Sequence, residues 1–108
     1  MPRYVSIATY SPAAFAAFVN NPQARTAVAA DLLRKLGGTL ISMDFSTGDF
    51  DVLLIFEVPD EVTATAFALR VQSAGHFKSN RIVRLLSGDE FLDAQRKAYG
   101  LSYEAPNA

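Results

Sequence analysis

The sequence predicts a small α+β domain of the ferredoxin-like type, a βαββαβ plait with a four-stranded antiparallel sheet and helices on one face. Two β-type runs, 39–46 and 50–58, are separated by only Thr47, Gly48 and Asp49. So short a link permits an antiparallel hairpin and no other connection. A strand-like and a helix-like run precede this hairpin, and a helix-like and a strand-like run follow it. The resulting order β, α, β, β, α, β is that of the plait.

The chain before the hairpin predicts one strand and two helices. Residues 4–10 are rich in β-branched and aromatic side chains and form the first strand. Ser11 as N-cap and Pro12 at the first helical position open a short alanine-rich helix that ends near residue 19. Residues 20–22, Asn-Asn-Pro, open a second helix in the same way, and the pair Gly37-Gly38 ends it. Its apolar stripe is Ala29, Leu32, Leu33 and Leu36.

The chain after the hairpin predicts a helix, a strand and a final helix. Pro59-Asp60 ends the hairpin and caps the third helix, which Gly75 ends. The apolar stripe of this helix is Ala64, Phe67, Ala68 and Val71. Residues 77–86 form the last strand. Ser87 and Glu90 then match a capping box that starts a C-terminal helix through Phe91, Leu92 and Ala98.

The hairpin is apolar on both faces, which predicts self-association. Gly48 is expected to take a positive φ in its turn. In the second strand, Phe50, Val52, Leu54, Phe56 and Val58 share one face, and Leu53 and Ile55 lie on the other. In the first strand, Leu40 shares a face with Ser42 and Asp44, opposite Ile41, Met43 and Phe45. We expect a second copy to bury the uncovered face by packing sheet on sheet, giving a homodimer or higher homo-oligomer. The alternative is that the extra helices of the same chain cover it.

Composition narrows the function classes. The chain has 108 residues, half of them apolar and 19% charged, which is typical of one folded domain. We predict a single domain over 1–99 and a flexible tail over 100–108. The net charge of −1 argues against binding to nucleic acid or an anionic membrane. Without cysteine and with one histidine, the chain is predicted to hold no metal. Ser11-Pro12 interrupts the apolar N-terminal region and no apolar run is long enough to span a membrane, so a cytoplasmic location is expected.

His76, Tyr10 and Asp44 are the candidate catalytic residues. An imidazole suits general acid–base chemistry at neutral pH, and His76 lies where the last strand begins. The Tyr10 hydroxyl and the Asp44 carboxylate would help to position a substrate. Each has a structural alternative: a surface histidine at a strand end, a core or interface tyrosine, and an acid paired with a neighbouring base.

Tyr4, Asp51 and Arg81 are the candidate ligand-binding residues. Arg81 lies in a basic strand with Lys78 and Arg84, where it could hold a carboxylate or phosphate. The alternative is pairing with acids of neighbouring strands. Asp51 could bind a cation or accept hydrogen bonds from nearby backbone amides. Tyr4 could reach a cavity with its hydroxyl or lie in the core.

Several segments resemble the GYD domain family over roughly residues 2–93. They are the opening Pro2-Arg3-Tyr4-Val5-Ser6, the helix end Leu36-Gly37-Gly38, the hairpin Thr47-Gly48-Asp49-Phe50-Asp51-Val52, and Pro59-Asp60 with Ala64–Leu69. The resemblance implies an architecture similar to dimeric α+β-barrel proteins, which include cofactor-free monooxygenases, isomerases and heme-linked enzymes. Phe50 stands where the family usually has tyrosine, so any chemistry of that phenol in relatives would be missing here.

Two functions follow as hypotheses. The first is a small-ligand-binding or assembly-forming protein without catalysis. The second is a cofactor-independent enzyme, monooxygenase- or isomerase-like, that acts on a small organic molecule. The enzyme requires a cavity of a few hundred Å³ with polar groups near His76. We predict no cofactor, and heme on His76 is a further possibility that would colour the protein. RNA binding is not expected, because the strand 51–56 is apolar and lacks the basic and aromatic pattern of RNA-binding plaits.

Overall fold

The computed structural model describes residues 1–107 as one antiparallel sheet with helices packed on one of its faces. In chain order the elements are β1 (Arg3–Tyr10), α1 (Pro12–Asn20), α2 (Thr26–Lys35), β2 (Thr39–Phe45), β3 (Val52–Glu57), α3 (Glu61–Gln72), β4 (Phe77–Leu85) and α4 (Gly88–Tyr99). The strand order β2-β3-β1-β4 is that of the ferredoxin-like plait. The predicted fold class is therefore confirmed.

The core lies between one face of the sheet and helices α1 to α3. Along β1 every second residue is buried, from Tyr4 to Tyr10, and β3 alternates in the same way. Leu33 of α2 and Phe67 of α3 are buried against this face. Phe56 and Phe67 bring their ring centroids within 5.2 Å, so the central strand and α3 share one aromatic contact. Burying such large side chains is the main stabilising term for the fold.

The predicted helix caps are present in three places and absent in one. The Ser11 hydroxyl accepts from the Ala14 N–H at 3.3 Å, and the Asp60 carboxylate accepts from the Thr63 N–H at 2.9 Å. Ser87 and Glu90 form both bonds of the capping box. Helix α2, in contrast, begins at Thr26 without a side-chain cap, so the start predicted at residues 20–22 is wrong. Residues 21–25 run as an irregular connection instead.

The hairpin turn differs from the prediction at Gly48. The Ser46 N–H donates to the Asp51 carbonyl at 2.8 Å, so pairing continues past β2 and β3 and the turn spans residues 47–50. Gly48 does not have a positive φ; Gly37 and Gly75 do, at 79° and 78°. The longer turn reverses the chain without a left-handed residue. The left-handed positions instead follow α2 and α3, where glycine ends a helix without a Cβ penalty.

A β-bulge changes the predicted faces of β2. The register shifts between Leu40, opposite Phe56, and Ser42, opposite Ile55. The extra residue places Leu40 and Met43 on the same side, and both pack against the core. The predicted grouping of Leu40 with Ser42 and Asp44 is therefore wrong. The bulge therefore lets Leu40 and Met43, which lie on either side of it in the edge strand β2, both reach the core.

The second face of the sheet is apolar at its centre, and no helix within residues 1–107 packs over it. Residues that pair across strands share a face, and the register places Val5, Ile7, Leu53, Ile55 and Val83 together there. We call this set the open face. Helix α4 has no buried residue and no extended contact with the sheet. The chain is elongated in consequence, with a radius of gyration of 17.6 Å, against about 13 Å expected for a compact domain of this length.

The tail beyond α4 is exposed and has no regular structure over the residues that the structure describes. Residues 100–107 are exposed and form no helix or strand, and Ala108, also in the predicted tail, lies outside the described residues. The flexibility of the tail stays a prediction. Among residues 1–107, no helix has the length and apolar character needed to cross a bilayer.

The substitutions Gly38→Ala and Gly48→Ala should have different effects on the free energy of unfolding. A Cβ at residue 38 would lie 2.3 Å from the Glu57 carbonyl oxygen and 2.7 Å from Val58 Cγ1. We expect Gly38→Ala to lower the free energy of unfolding by about 2 kcal/mol or more, because the β3 backbone has to move. Gly48→Ala meets only Ser46 Oγ at 3.8 Å and should leave stability unchanged or raise it by up to about 1 kcal/mol. Urea denaturation measures the free energy of unfolding of both variants. Equal losses would contradict the close approach assigned to Gly38 and the open turn assigned to Gly48.

Candidate functional site

A cavity of about 320 Å³ lies between the covered face of the sheet and helices α1 to α3. It is at the end of the sheet where β1 finishes and β4 begins. Its walls are mostly apolar: Ala8, Leu32, Met43, Val52, Leu54, Phe67, Val71 and Phe77 are among the lining residues. A volume of this size is at the lower end of the range for small-molecule sites.

Alanine side chains on the helices create this space. Ala14 and Ala17 of α1, Ala29 of α2 and Ala74 after α3 all line the cavity. A leucine in any of these places would fill part of the volume that the methyl group leaves open. The alanine-rich character of the N-terminal half therefore has a spatial consequence, since short methyl side chains on the lining leave part of the interior unfilled.

One buried polar pair lies in the wall formed by the sheet. Ser6 is 3% exposed, and its hydroxyl donates to the Asn80 side-chain carbonyl at 2.7 Å. The two residues belong to the neighbouring strands β1 and β4, and both line the cavity. Because Ser6 occupies the Asn80 carbonyl, the amide N–H groups of Asn80 are left to donate to a ligand.

Tyr10 lies at the opening of the cavity, which we call the mouth, and its ring contacts two other aromatic rings there. Its ring stacks on Phe77 with centroids 4.9 Å apart and meets Phe18 edge-on at 5.0 Å. Burial raises the pKa of the Tyr10 phenol, the positive charge of Arg25 opposes that rise, and the negative charge of Asp51 adds to it. The phenol is therefore neutral at physiological pH and able to donate a hydrogen bond.

The charged groups that line the cavity are all basic. Arg25 lies just before α2, Arg70 near the end of α3 and His76 just before β4, and each contributes to the lining. Among residues 1–107, no aspartate or glutamate lines the cavity. In the same range, neither arginine is within salt-bridge distance of a carboxylate. The two arginines at the cavity are therefore not neutralised by a direct ion pair, although Asp51 lies in the adjoining groove.

The structure brings two of the sequence-predicted residues into this cavity and a third beside it. Tyr10 and His76 both line it. Asp51 lines the adjoining groove, which it shares with Tyr10 and Arg25. Its carboxylate accepts a hydrogen bond from the Tyr10 backbone N–H at 2.9 Å, which is the structural alternative considered for this residue.

The other three candidates lie elsewhere. Tyr4 is buried in the core, stacked on Phe56 at 5.8 Å, with the Arg84 guanidinium 5.9 Å from its ring centroid. Asp44 pairs opposite Leu53 and Arg81 opposite Ile7, which puts both on the open face. None of the three lines the cavity that contains Tyr10 and His76.

Sequence reasoning did not single out Ser6, Asn80, Arg25 or Arg70. One signal was available: Ser6 is polar but lies on the buried side of β1, between Tyr4 and Ala8. A polar residue in such a register often marks a buried hydrogen bond or a site. Among residues 1–107, no cluster of three or more His, Asp or Glu side chains is arranged to hold a metal ion.

Comparison with known proteins adds a family. The model of the GYD domain family matches residues 4–94, which include every strand and the first three helices. The match agrees with the resemblance noted in the opening strand and in the hairpin. No curated protein matches the chain.

Proposed function

The chain belongs to the GYD domain family, and we propose that it binds a small organic molecule in the cavity between its sheet and helices. The observation that carries this proposal is the cavity of about 320 Å³, apolar along its walls and lined by polar groups at one end. Apolar walls supply affinity, and a few placed polar groups supply orientation. A cytoplasmic location is part of the proposal, because a chain without cysteine gains nothing from an oxidising compartment.

A second candidate function is acid–base catalysis on that molecule. It is favoured by one observation, that His76 and Tyr10 line the same cavity. His76 is exposed, so its imidazole contacts solvent as well as the cavity. The neutral Tyr10 phenol would donate a hydrogen bond to a developing oxyanion. Asp44, the third catalytic candidate, lies on the opposite face of the sheet and has no part in this arrangement.

The proposed partner is a second copy of the chain, bound through the open face. Apolar side chains at the centre of this face are ringed by Asp44, Arg81 and the Arg3–Glu57 ion pair. An apolar centre with a polar rim is the common anatomy of a protein interface. Helix α4 supports the same proposal, because Phe91 and Leu92 are exposed on it and contact no core. Two-fold packing of sheet on sheet would bury both surfaces.

Filling the cavity tests the binding proposal. The neutral probe 3-phenylpropanamide should shift amide NMR signals of the cavity strands in the parent protein. We expect Ala29→Leu to weaken this binding at least tenfold, because the larger side chain occupies ligand volume. Ala66→Leu, the same change at an exposed position of α3, is the matched control and should bind as the parent does. A parent protein without shifts around the cavity, or equal binding by all three proteins, would contradict the proposal.

Catalysis is tested by the fate of a molecule that co-purifies with the protein. If the second candidate is correct, the parent converts that molecule during incubation, and His76→Gln binds it but converts it about 10²-fold more slowly or worse. Mass spectrometry of the released ligand measures both. A ligand recovered unchanged from the parent after prolonged incubation rules against this candidate.

Self-association is tested by one charge placed on the open face. Native mass spectrometry at micromolar concentration should give a dimer or higher oligomer for the parent. Val83→Asp should give a monomer, because it buries an unpaired carboxylate in the interface. Val62→Asp is the control: Val62 is 80% exposed on α3, away from the open face, and its variant should assemble normally. A parent protein that is monomeric at this concentration would contradict the proposal of self-association.

A further inference from the structure

The charge of the cavity lining selects among ligands. Within residues 1–107, the lining contains Arg25, Arg70 and His76 and no carboxylate side chain. The two arginines would repel a ligand with a positive charge, and a neutral ligand would form no ion pair with either of them. A ligand with one negative charge would instead form charge-assisted hydrogen bonds, which are about twice as strong as neutral ones.

Two further polar side chains at the cavity, those of Asn80 and Tyr10, present hydrogen-bond donors, and the Gln23 carbonyl in the lining already accepts from Arg25 at 3.2 Å. The Asn80 carbonyl is engaged by Ser6, so the Asn80 amide presents N–H groups. The Tyr10 phenol is protonated at neutral pH. The Asp51 carboxylate lines the adjoining groove and accepts from the Tyr10 backbone N–H. The cavity thus offers hydrogen-bond donors to a ligand, and within residues 1–107 no carboxylate side chain lines it to compete for them.

We propose that the ligand is an amphipathic organic acid, with an apolar body among the alanines and its anionic group held by Arg25 and Arg70 at the mouth. This inference rests on the proposed binding function and names its ligand class. The apolar body is limited to about two aromatic rings, because an apolar cavity of about 150 Å³ is known to hold one benzene. Arg70 is exposed and Arg25 is half-buried, which suits a head group that stays near water while the apolar body is enclosed.

Three probes that share one phenylalkyl body test the inference: 3-phenylpropanoate, neutral 3-phenylpropanamide and cationic 3-phenylpropylamine. Calorimetric titration of the full chain at low salt should give the tightest binding for the acid, about tenfold tighter than the amide. The amine should bind more weakly than the amide. Raising the salt to 0.5 M should reduce the advantage of the acid and leave the amide unchanged.

Arginine variants assign the effect to the mouth. Arg70→Gln and Arg25→Gln should each reduce the affinity for the acid about fivefold to tenfold without changing the affinity for the amide, which also verifies folding. Arg96→Gln removes the same charge from exposed α4 and should bind all three probes as the parent does. Equal binding of acid, amide and amine would overturn the charge selection but leave the binding function standing. Binding of none of the three would overturn both.

Discussion

The structure depends most on how Tyr10 is held at the end of β1. Its backbone N–H donates to the Asp51 carboxylate at the end of the hairpin turn, and its ring contacts Phe18 of α1 and Phe77 of β4. One residue therefore joins a central strand, an edge strand, a helix and the turn between β2 and β3. Aromatic contacts of this kind add about 1 kcal/mol each beyond the burial of area. Because the same ring lines the cavity, the forces that close this end of the fold also fix the shape of its mouth.

The local features of the sequence predicted most of the fold. Alternation along β1, the short link in the hairpin and the caps at Ser11, Asp60 and Ser87 depend on neighbours within a few residues, and each is present. The faces of β2 were not predictable in this way. Its bulge is set by pairing with β3 and by the packing of Leu40 and Met43 on a distant core. The φ angle of Gly48 was equally hard to predict, because the sequence does not show how many residues the hairpin turn contains.

The candidate site was predictable only in part. His76 and Tyr10 stand out by chemical type, and both reach the cavity. Arg25 and Arg70 do not stand out, because an arginine near a helix end is usually a solvated side chain. Their importance comes from tertiary structure, which brings the start of α2 and the end of α3 to the same opening. The cavity exists because alanines on its lining are too small to fill the space between the sheet and the helices. No periodicity in the sequence shows how far apart the sheet and the helices will pack.

The position of the basic side chains has a consequence for divergence among relatives. Arg25 and His76 lie just outside regular elements, and Arg70 lies near the end of a helix with its side chain exposed. A substitution at any of the three changes the chemistry of the opening without removing a hydrogen bond of the sheet or a large side chain of the core. For the proposed ligand, this means that the preferred head group can change among relatives through single substitutions at the opening, at little cost in stability and with the same scaffold.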